Sequence, residues 1–284
     1  MNTARQQTVA EAAKVKGLGV HSGERVTLTI IPADEGHGRV FCRSDLPGKP
    51  CVPATIDHIQ WDKMRNRTTL GKGEAEVQTP EHVLSALHAL GVDNALIELT
   101  GVECPGIDNS ALPFVEAIEK VGLREQSAPR RVLTLSEPVT VRDEKSGAEV
   151  TAMPSERFEV TFFVEFPDDH FLGPQTLHFQ VTPEAFRREV AKARTWIFAE
   201  QIPGLLLEGL GQGGTMDSVL VIGRSDFVTP QRMDEEPVRH KAMDLIGDLA
   251  LLDCGLQAHV LARRSGHRLH AQLVQAIQEK AVFD

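Results

Sequence analysis

The chain has 284 residues, of which 41% are hydrophobic and 25% are charged, and its formal net charge is −10. This composition is that of a soluble globular protein and excludes disordered, fibrous and coiled-coil classes. The negative charge argues against broad nucleic-acid binding, but it allows a local pocket for an anionic small molecule. Because no apolar run could span a bilayer, and because Met1 to Val15 lacks the apolar core of a signal peptide, we expect a cytoplasmic protein.

The four cysteines are scattered along the chain and form no CxxC pair. Such usage is typical of a reducing compartment and offers no structural zinc motif. We interpret Cys42, Cys51, Cys104 and Cys254 as buried or incidental thiols.

The first part of the chain predicts strands and turns. Arg25 to Ile31 alternates β-branched and other residues after a Gly-rich turn, which predicts a strand, and Val40 to Cys42 is its predicted partner. Between Asp45 and Gly73, Pro, Asp, Asn and Gly interrupt short apolar runs. That region therefore predicts turns and short strands.

A well-signalled helix follows. Thr79 is its predicted N-cap, Pro80 stands at the first helical position, and Gly91 is the predicted stop. A strand at 94–99 and a helix at 113–121 complete a compact α+β unit.

The polar, Pro-containing segment 125–131 predicts a short linker. After it, the broad order of strands followed by helices recurs. The predicted elements are strands at 132–135, 139–141, 148–152 and 158–166, a helix at 183–192 capped by Thr182, a helix near 203–207, a strand at 218–222, a helix from Val238, a strand at 257–262 and a final helix. We predict an α+β fold of two similar sandwich domains, residues 1–126 and 127–284, each a small sheet packed on helices.

The helix at 238–248 carries the strongest chemical signal. His240, Asp244 and Asp248 are spaced four residues apart, so they share one face, while the opposite face is apolar. Glu81 and His82 open the earlier helix and add a second imidazole beside a carboxylate. His82, His240 and Asp244 could be the three ligands of a hydrolytic zinc, although they could also be ordinary core and surface residues.

Four further residues could carry chemistry. A carboxylate is favoured at Glu81 by the first helical turn, where it could accept a proton or only stabilise the helix. Asp248 could bond a catalytic imidazole or be a surface charge. His267 stands on a Gly-containing turn that could reach a cleft, and Lys241 could bind an anionic substrate or simply be solvated.

The Gly-rich segment 209–214 does not follow a clear strand, so we reject a dinucleotide-binding interpretation. We interpret it as a flexible turn whose backbone closely approaches another segment.

Six ordered motifs carry a family resemblance. They are GLGVHSG at 17–23, TPEH at 79–82, IDNSALPFV at 107–115, ARTW at 193–196, VRHKAMDLIGDL at 238–249 and SGH at 265–267. Together they resemble the UDP-3-O-acyl-N-acetylglucosamine deacetylase family over nearly the whole chain. That family comprises zinc enzymes that remove an N-acetyl group in the committed step of lipid A synthesis in Gram-negative bacteria.

The resemblance implies a zinc ion bound by His82, His240 and Asp244. It also implies Glu81 as general base and His267 as the group that stabilises the oxyanion or protonates the leaving amine. The family fold, two facing α+β sandwiches with the site between them, agrees with the predicted boundary.

Further roles follow from the same resemblance. Asp248 would orient His267, Thr195 would donate a hydrogen bond to the tetrahedral intermediate, and Lys241 would contact the substrate. Each domain would carry an insert, within about 43–78 and 162–181. The second insert would form an acyl passage, and Trp196 would be a further substrate contact. Six residues could line the passage or could be only strand-core residues: Phe162, Phe163, Phe166, Phe171, Leu172 and Leu177.

Trp196 stands where the family usually has Phe, and Met216 and Pro237 alter neighbouring motifs. These departures leave open a different N-acylated sugar nucleotide as substrate. The sequence is also compatible with a non-catalytic binding paralogue and with iron in place of zinc. We expect a monomer with no nucleic-acid partner and no membrane span, which could meet a membrane peripherally through its acylated substrate.

Overall fold

The computed structural model describes residues 4–280, 282 and 283; residues 1–3 of the predicted first domain and residues 281 and 284 of the second lie outside this range. Its strands are β1 (Arg5–Val9), β2 (Ala13–Leu18), β3 (Arg25–Pro32), β4 (Arg39–Arg43), β5 (Cys51–Pro53), β6 (Thr69–Lys72), β7 (Ala75–Gln78), β8 (Ala95–Leu99), β9 (Leu123–Pro129), β10 (Val132–Thr134), β11 (Val139–Asp143), β12 (Ala148–Pro154), β13 (Phe158–Val164), β14 (Gln175–Gln180), β15 (Trp196–Phe198), β16 (Leu220–Ile222), β17 (Gly255–Arg263) and β18 (Val282–Phe283). Its helices are α1 (Glu81–Ala89), α2 (Leu112–Val121), α3 (Pro183–Glu189), α4 (Ile202–Leu207), α5 (Glu236–Leu249) and α6 (His267–Lys280).

The predicted α+β class is confirmed, since small sheets pack against helices throughout the described chain. In the first half, a five-stranded sheet has the order β2-β3-β8-β4-β5. Its strand β3 lies where Arg25 to Ile31 predicted one. The predicted partner was wrong, because β3 pairs antiparallel with β2 and β8, whereas β4 lies on the far side of β8 and runs parallel to it.

The second half is built on a seven-stranded sheet with β17 at its centre. Strand β17 runs antiparallel to β12 and parallel to β13 and β10. Strand β14 was not predicted as a strand; it continues the sheet beyond β13, so much of the region assigned to the acyl insert is regular sheet. The Thr182 cap of α3 is confirmed, since its hydroxyl accepts the N–H of Ala185 at 3.2 Å.

The linker predicted at 125–131 is mostly a strand. Residues of β9 pair antiparallel with β1, so that Arg5 lies opposite Pro129 and Val9 opposite Leu123. A polar sequence forms a strand here because one edge of the backbone is satisfied by β1 while the side chains remain largely exposed. The division at residue 126 stays a prediction.

Helices α1 and α5 approach each other unusually closely. A Cβ at Gly247 would lie 2.1 Å from the carbonyl oxygen of Glu81, so a side chain at this position would push the two helices apart. All nine residues of α1 are buried. This contact sets the first turn of α1 beside the middle of α5.

Two cysteines differ from the prediction. Cys42 and Cys51 lie opposite each other on β4 and β5 and form a disulfide, with Cys51 exposed. Cys104 and Cys254 are buried free thiols, as expected. Disulfides are rare in reducing compartments, so the cysteine pattern no longer supports one.

The Gly-rich turn closely approaches another segment, as predicted. A Cβ at Gly213 would lie 2.0 Å from the carbonyl oxygen of Gly19, and the Gly213 N–H donates to Val20 O at 3.1 Å. The turn therefore closes over the N-terminal GLGVHSG segment. No helix in the described part of the chain is both long and apolar enough to cross a membrane.

Candidate active site

Helices α1 and α5 bring the three predicted ligands together. Asp244 Oδ1 lies 3.4 Å from His240 Nε2 and 3.6 Å from His82 Nε2. The two imidazole rings pack edge to face, with their centroids 5.2 Å apart. All three side chains are buried, and their ligand atoms lie within 4.8 Å of one another. Two imidazole nitrogens and one carboxylate oxygen therefore converge, a set of three protein ligands of the kind that catalytic zinc sites use.

The protonation of this cluster suits a cation. Asp244 Oδ1 is buried and has no hydrogen-bond partner among the described residues. Burial lowers the pKa of His240 to about 3, and its Nδ1 faces the Ala193 carbonyl oxygen at 3.2 Å, which fixes the N–H there and leaves the Nε2 lone pair free. Although burial opposes it, His240 and Lys241 hold the pKa of Asp244 well below its usual value. The residues therefore fit a divalent metal.

The start of α1 differs from the prediction. Thr79 has a left-handed φ of +54°, and its hydroxyl donates to Glu103 Oε1 at 3.2 Å, so it is not the N-cap. The buried Glu103 also accepts the backbone N–H groups of His21 and Ser22. This carboxylate thus ties the GLGVHSG and TPEH motifs together, a role that nothing in its sequence context indicated.

Glu81 lies at the first position of α1 with only 2% of its surface exposed. Burial raises the pKa of its carboxyl group to about 7. Its Oε1 lies 3.7 Å from His267 Nε2, and its Oε2 accepts the Thr68 N–H at 3.3 Å. A carboxylate with a pKa near neutrality can both take up and release a proton.

His267 is the first residue of α6, not a loop residue as predicted. Its Nδ1 lies 2.8 Å from Asp248 Oδ2, and Asp248 Oδ1 accepts the Thr68 hydroxyl at 2.6 Å. Burial alone would favour the neutral ring, but Asp248 and Glu81 raise the pKa of His267 to about 9. We call Glu81, His267, Asp248 and Thr68 the acid–base cluster.

Lys241 and Thr195 border this site. Lys241 Nζ donates to Asp244 Oδ2 at 3.0 Å, and 25% of its side chain is exposed. It therefore contacts a predicted ligand and solvent at once. Thr195 is half-buried, and its N–H donates to Asn109 O at 2.9 Å, which joins the ARTW and IDNSALPFV motifs.

A buried ion pair holds the start of α5. Arg194 is 3% exposed and donates from Nε to Glu236 Oε1 at 2.9 Å, while Glu236 is fully buried. Glu236 also accepts the backbone N–H groups of Arg194 and Arg232. Sequence reasoning missed Glu236, although its place in the turn before His240 was a usable signal.

Aromatic side chains gather beside the same helix. The cluster consists of Phe166, His170, Phe171, Trp196, Phe198 and Phe227, whose rings contact one another at 4.8 to 6.2 Å. We call this the aromatic cluster. Trp196 Nε1 donates to the Pro237 carbonyl oxygen at 3.2 Å, so two of the departures from the family motifs touch each other.

The other predicted acyl contacts divide by burial. Phe162 is 1% exposed and belongs to the hydrophobic core, where its ring meets His270 at 6.2 Å. Phe163 points to the opposite face of β13 and is half-buried. Phe171 is 40% exposed, and Leu172 is half-buried with its N–H donating to His170 Nδ1. Phe171 and Leu172 thus lie at the aromatic cluster, and Phe162 does not.

Comparison with known proteins places the chain in a family. Residues 6–279 match the family model described as UDP-3-O-acyl N-acetylglycosamine deacetylase. A protein named UDP-3-O-acyl-N-acetylglucosamine deacetylase from Thermosynechococcus vestitus is 43% identical over 98% of this chain and 95% of its own. A protein of the same name from Trichormus variabilis is 41% identical over 96% of this chain and 98% of its own length. Another from Myxococcus xanthus is 36% identical over 96% of this chain and 86% of its own length. The chain therefore belongs to the UDP-3-O-acyl N-acetylglycosamine deacetylase family.

Proposed function

We propose that this protein hydrolyses the N-acetyl group of UDP-3-O-[(R)-3-hydroxyacyl]-N-acetylglucosamine, giving acetate and the free 2-amine, the committed step of lipid A biosynthesis. Family membership over nearly the whole chain supports the reaction. The observation that carries the proposal is a convergent ligand set, His82, His240 and Asp244, directly beside a buried carboxylate and imidazole of suited proton affinity.

His82, His240 and Asp244 would hold Zn²⁺. When bound, the ion supplies a Lewis acid that polarises the amide carbonyl and lowers the pKa of a water. Two imidazole nitrogens and one carboxylate oxygen give the mixed nitrogen and oxygen set that suits zinc, with Fe²⁺ as the alternative. Asp248 lies one turn beyond Asp244 and would not ligate the same ion, because it is engaged by His267 and Thr68.

Glu81 would act as general base. Its carboxylate takes a proton from the water that attacks the acetyl carbon. Burial raises the pKa of this carboxyl group to about 7, close to neutral pH. His267, protonated and 3.7 Å from Glu81, then stabilises the oxyanion or gives its proton to the amine nitrogen as the C–N bond breaks. Asp248 keeps His267 oriented and protonated.

The remaining roles concern the substrate. Thr195 would donate to the tetrahedral intermediate, and Lys241, partly exposed beside Asp244, would contact the sugar nucleotide. The aromatic cluster, together with Leu172 and Phe163, would receive the acyl chain, because it offers half-exposed apolar surface that continues to Trp196, which contacts Pro237 in the first turn of α5.

The family resemblance and the sequence suggest a cellular setting. We propose a cytoplasmic protein of a Gram-negative bacterium. We propose a monomer of two domains, 1–126 and 127–284, with the active site between them and inserts within about 43–78 and 162–181. It would meet the membrane only peripherally, through the acylated substrate.

Mass-spectrometric detection of acetate loss tests the function. The zinc-loaded protein is given UDP-3-O-(3-hydroxyacyl)-N-acetylglucosamine, with His240→Ala and Glu81→Ala as site variants and Glu279→Gln, an exposed carboxylate, as a matched control. We expect turnover by the wild type and the control only. A folded, zinc-bound wild type without turnover would reject this substrate, and a panel of other N-acylated sugar nucleotides would then separate an altered specificity from a binding paralogue.

A further inference from the structure

One fully buried histidine, His270, is not used by the chemistry described above. It lies one turn after His267 on α6. Its Nδ1 is 2.8 Å from Asp248 Oδ2, and its Nε2 is 2.9 Å from Ser265 Oγ. Because His267 Nδ1 is also 2.8 Å from Asp248 Oδ2, a single carboxylate oxygen faces two imidazole rings.

The contacts fix where the protons lie. Although burial opposes ionisation, His267 and the hydrogen bonds from both rings lower the pKa of Asp248, so it is a carboxylate and can only accept. Both Nδ1 atoms must therefore carry hydrogen. Burial lowers the pKa of His270, which leaves that ring neutral, so its Nε2 has a lone pair and accepts from the Ser265 hydroxyl.

These bonds close a ring of four residues. Ser265 donates to His270, His270 donates to Asp248, and Asp248 accepts from His267, which follows Ser265 by two residues in the chain. Thr68 holds the other oxygen of Asp248. Thr68, His267 and His270 therefore all bond the Asp248 carboxylate. The turn that starts α6 is held to it directly by His267 and, through His270, by Ser265.

We propose that His270 is a positioning residue for the deacetylation: as a neutral Nδ1–H donor it holds Asp248 in the orientation that aims His267 Nε2 at the reacting atoms. The proposal rests on the proposed function, because it assigns the proton-transfer role to His267. It adds a second imidazole partner for Asp248, where the sequence motifs indicated one.

A different role for the same atoms would be a second metal site, since ligand atoms of Asp248, His267 and His270 lie within 4.8 Å of one another. The hydrogen bonds favour positioning. A metal would need the lone pairs of both Nδ1 atoms, which here carry protons toward Asp248. Thr68 and Ser265 satisfy the remaining polar atoms without an ion.

Two amide substitutions test the Nδ1 contact with Asp248 and the Nε2 contact with Ser265 separately. In His270→Asn the side-chain N–H₂ comes near the position of Nδ1, so the donor to Asp248 is retained and the contact with Ser265 is lost. In His270→Gln the longer amide reaches toward Ser265 instead. His270→Leu fills the volume and removes both contacts, and His88→Leu is the matched loss of a buried helical imidazole that bonds Arg39 elsewhere.

We expect His270→Leu to lower kcat about 10- to 100-fold, as losses of outer-shell partners do, with KM and the bound zinc equivalent unchanged. His270→Asn should recover most of that loss, because it retains the donor to Asp248. His270→Gln should recover less, and Ser265→Ala should lower kcat less than His270→Leu does, because the Ser265 contact matters less. His88→Leu should lower the melting temperature without lowering kcat. Wild-type kcat in His270→Leu, or equal rescue by Gln and Asn, would overturn the proposal.

Nitrogen-15 NMR of the imidazole rings gives a readout besides activity. The ring signals that disappear in His270→Asn should report a protonated Nδ1 and a bare Nε2 in the wild type. The opposite tautomer, or a second zinc equivalent that His270→Asn removes, would contradict the assignment. Failure of the proposed function looks different, because the wild type itself would then release no acetate.

Discussion

The acid–base cluster includes Asp248 near the C-terminal end of α5, whereas the aromatic cluster contacts the start of the same helix through Trp196 and Pro237, and the two clusters are built in opposite ways. In the acid–base cluster every side chain is buried and bonded to another element of the fold, with Glu81 2% and Asp248 1% exposed. In the aromatic cluster the rings touch mainly one another, and Phe171 is 40% exposed. Chemistry that moves protons needs fixed geometry, whereas a surface for a flexible chain tolerates adjustment.

We expect the largest effect in the buried acid–base cluster, at Glu81. Glu81→Gln keeps the shape and removes the proton acceptor, so kcat should fall about 10²- to 10⁴-fold. Zinc content should remain at one equivalent, because Gln at this position leaves His82, His240 and Asp244 intact. Steady-state kinetics with metal analysis checks both, and wild-type turnover in this variant would assign the base elsewhere.

The buried ion pair at the start of α5 can be tested separately. Arg194 precedes the aromatic Trp196 by two residues and binds the fully buried Glu236, so Arg194→Met leaves a carboxylate buried without its cation. We expect the free energy of unfolding to fall by about 3–5 kcal/mol in urea titrations. The exposed pair Arg142 and Glu149 supplies the control, because Arg142→Met should cost less than about 1 kcal/mol. Equal losses in the two variants would contradict this account.

The pH profile sharpens the description of the acid–base cluster. Glu81 acts as a base only when ionised, so kcat/KM should be lost as the pH falls through about 7. His267 acts as an acid only when protonated, so kcat/KM should also be lost as the pH rises through about 9. Each limb should change about tenfold per pH unit. If His267→Gln still lost kcat/KM as the pH rises through about 9, another group would carry the acid proton.

The smallest effect is expected at the aromatic cluster. Phe171→Ala removes an exposed ring that contacts Phe227, so it should raise KM for a long-chain substrate about tenfold and leave kcat within about twofold. A short-chain substrate should show little change. Comparing KM for the two substrates tests this, and a fall in kcat without a change in KM would place Phe171 outside the acyl site.

Local sequence signals were enough for the elements that carry their own patterns. The Thr182 cap predicted α3, the apolar stripe predicted α5, and the alternation at 25–31 predicted β3. These signals failed where partners lie far along the chain. Segment 125–131 is polar and contains Pro129, but pairing with β1 makes most of it a strand, and the hydroxyl of Thr79 binds Glu103 instead of capping α1.

The sequence by itself determined the family and the residue types of the candidate metal ligands, because the motifs occur in a specific order and His240 and Asp244 are four residues apart on one helix. Only the tertiary structure decided how these groups meet. Gly247 lets α1 reach α5, which brings His82 to Asp244, and the start of α6 brings His267 and His270 to Asp248. Burial and the neighbouring charges then shift the pKa values of these groups, and both are properties of the packed fold rather than of any single segment.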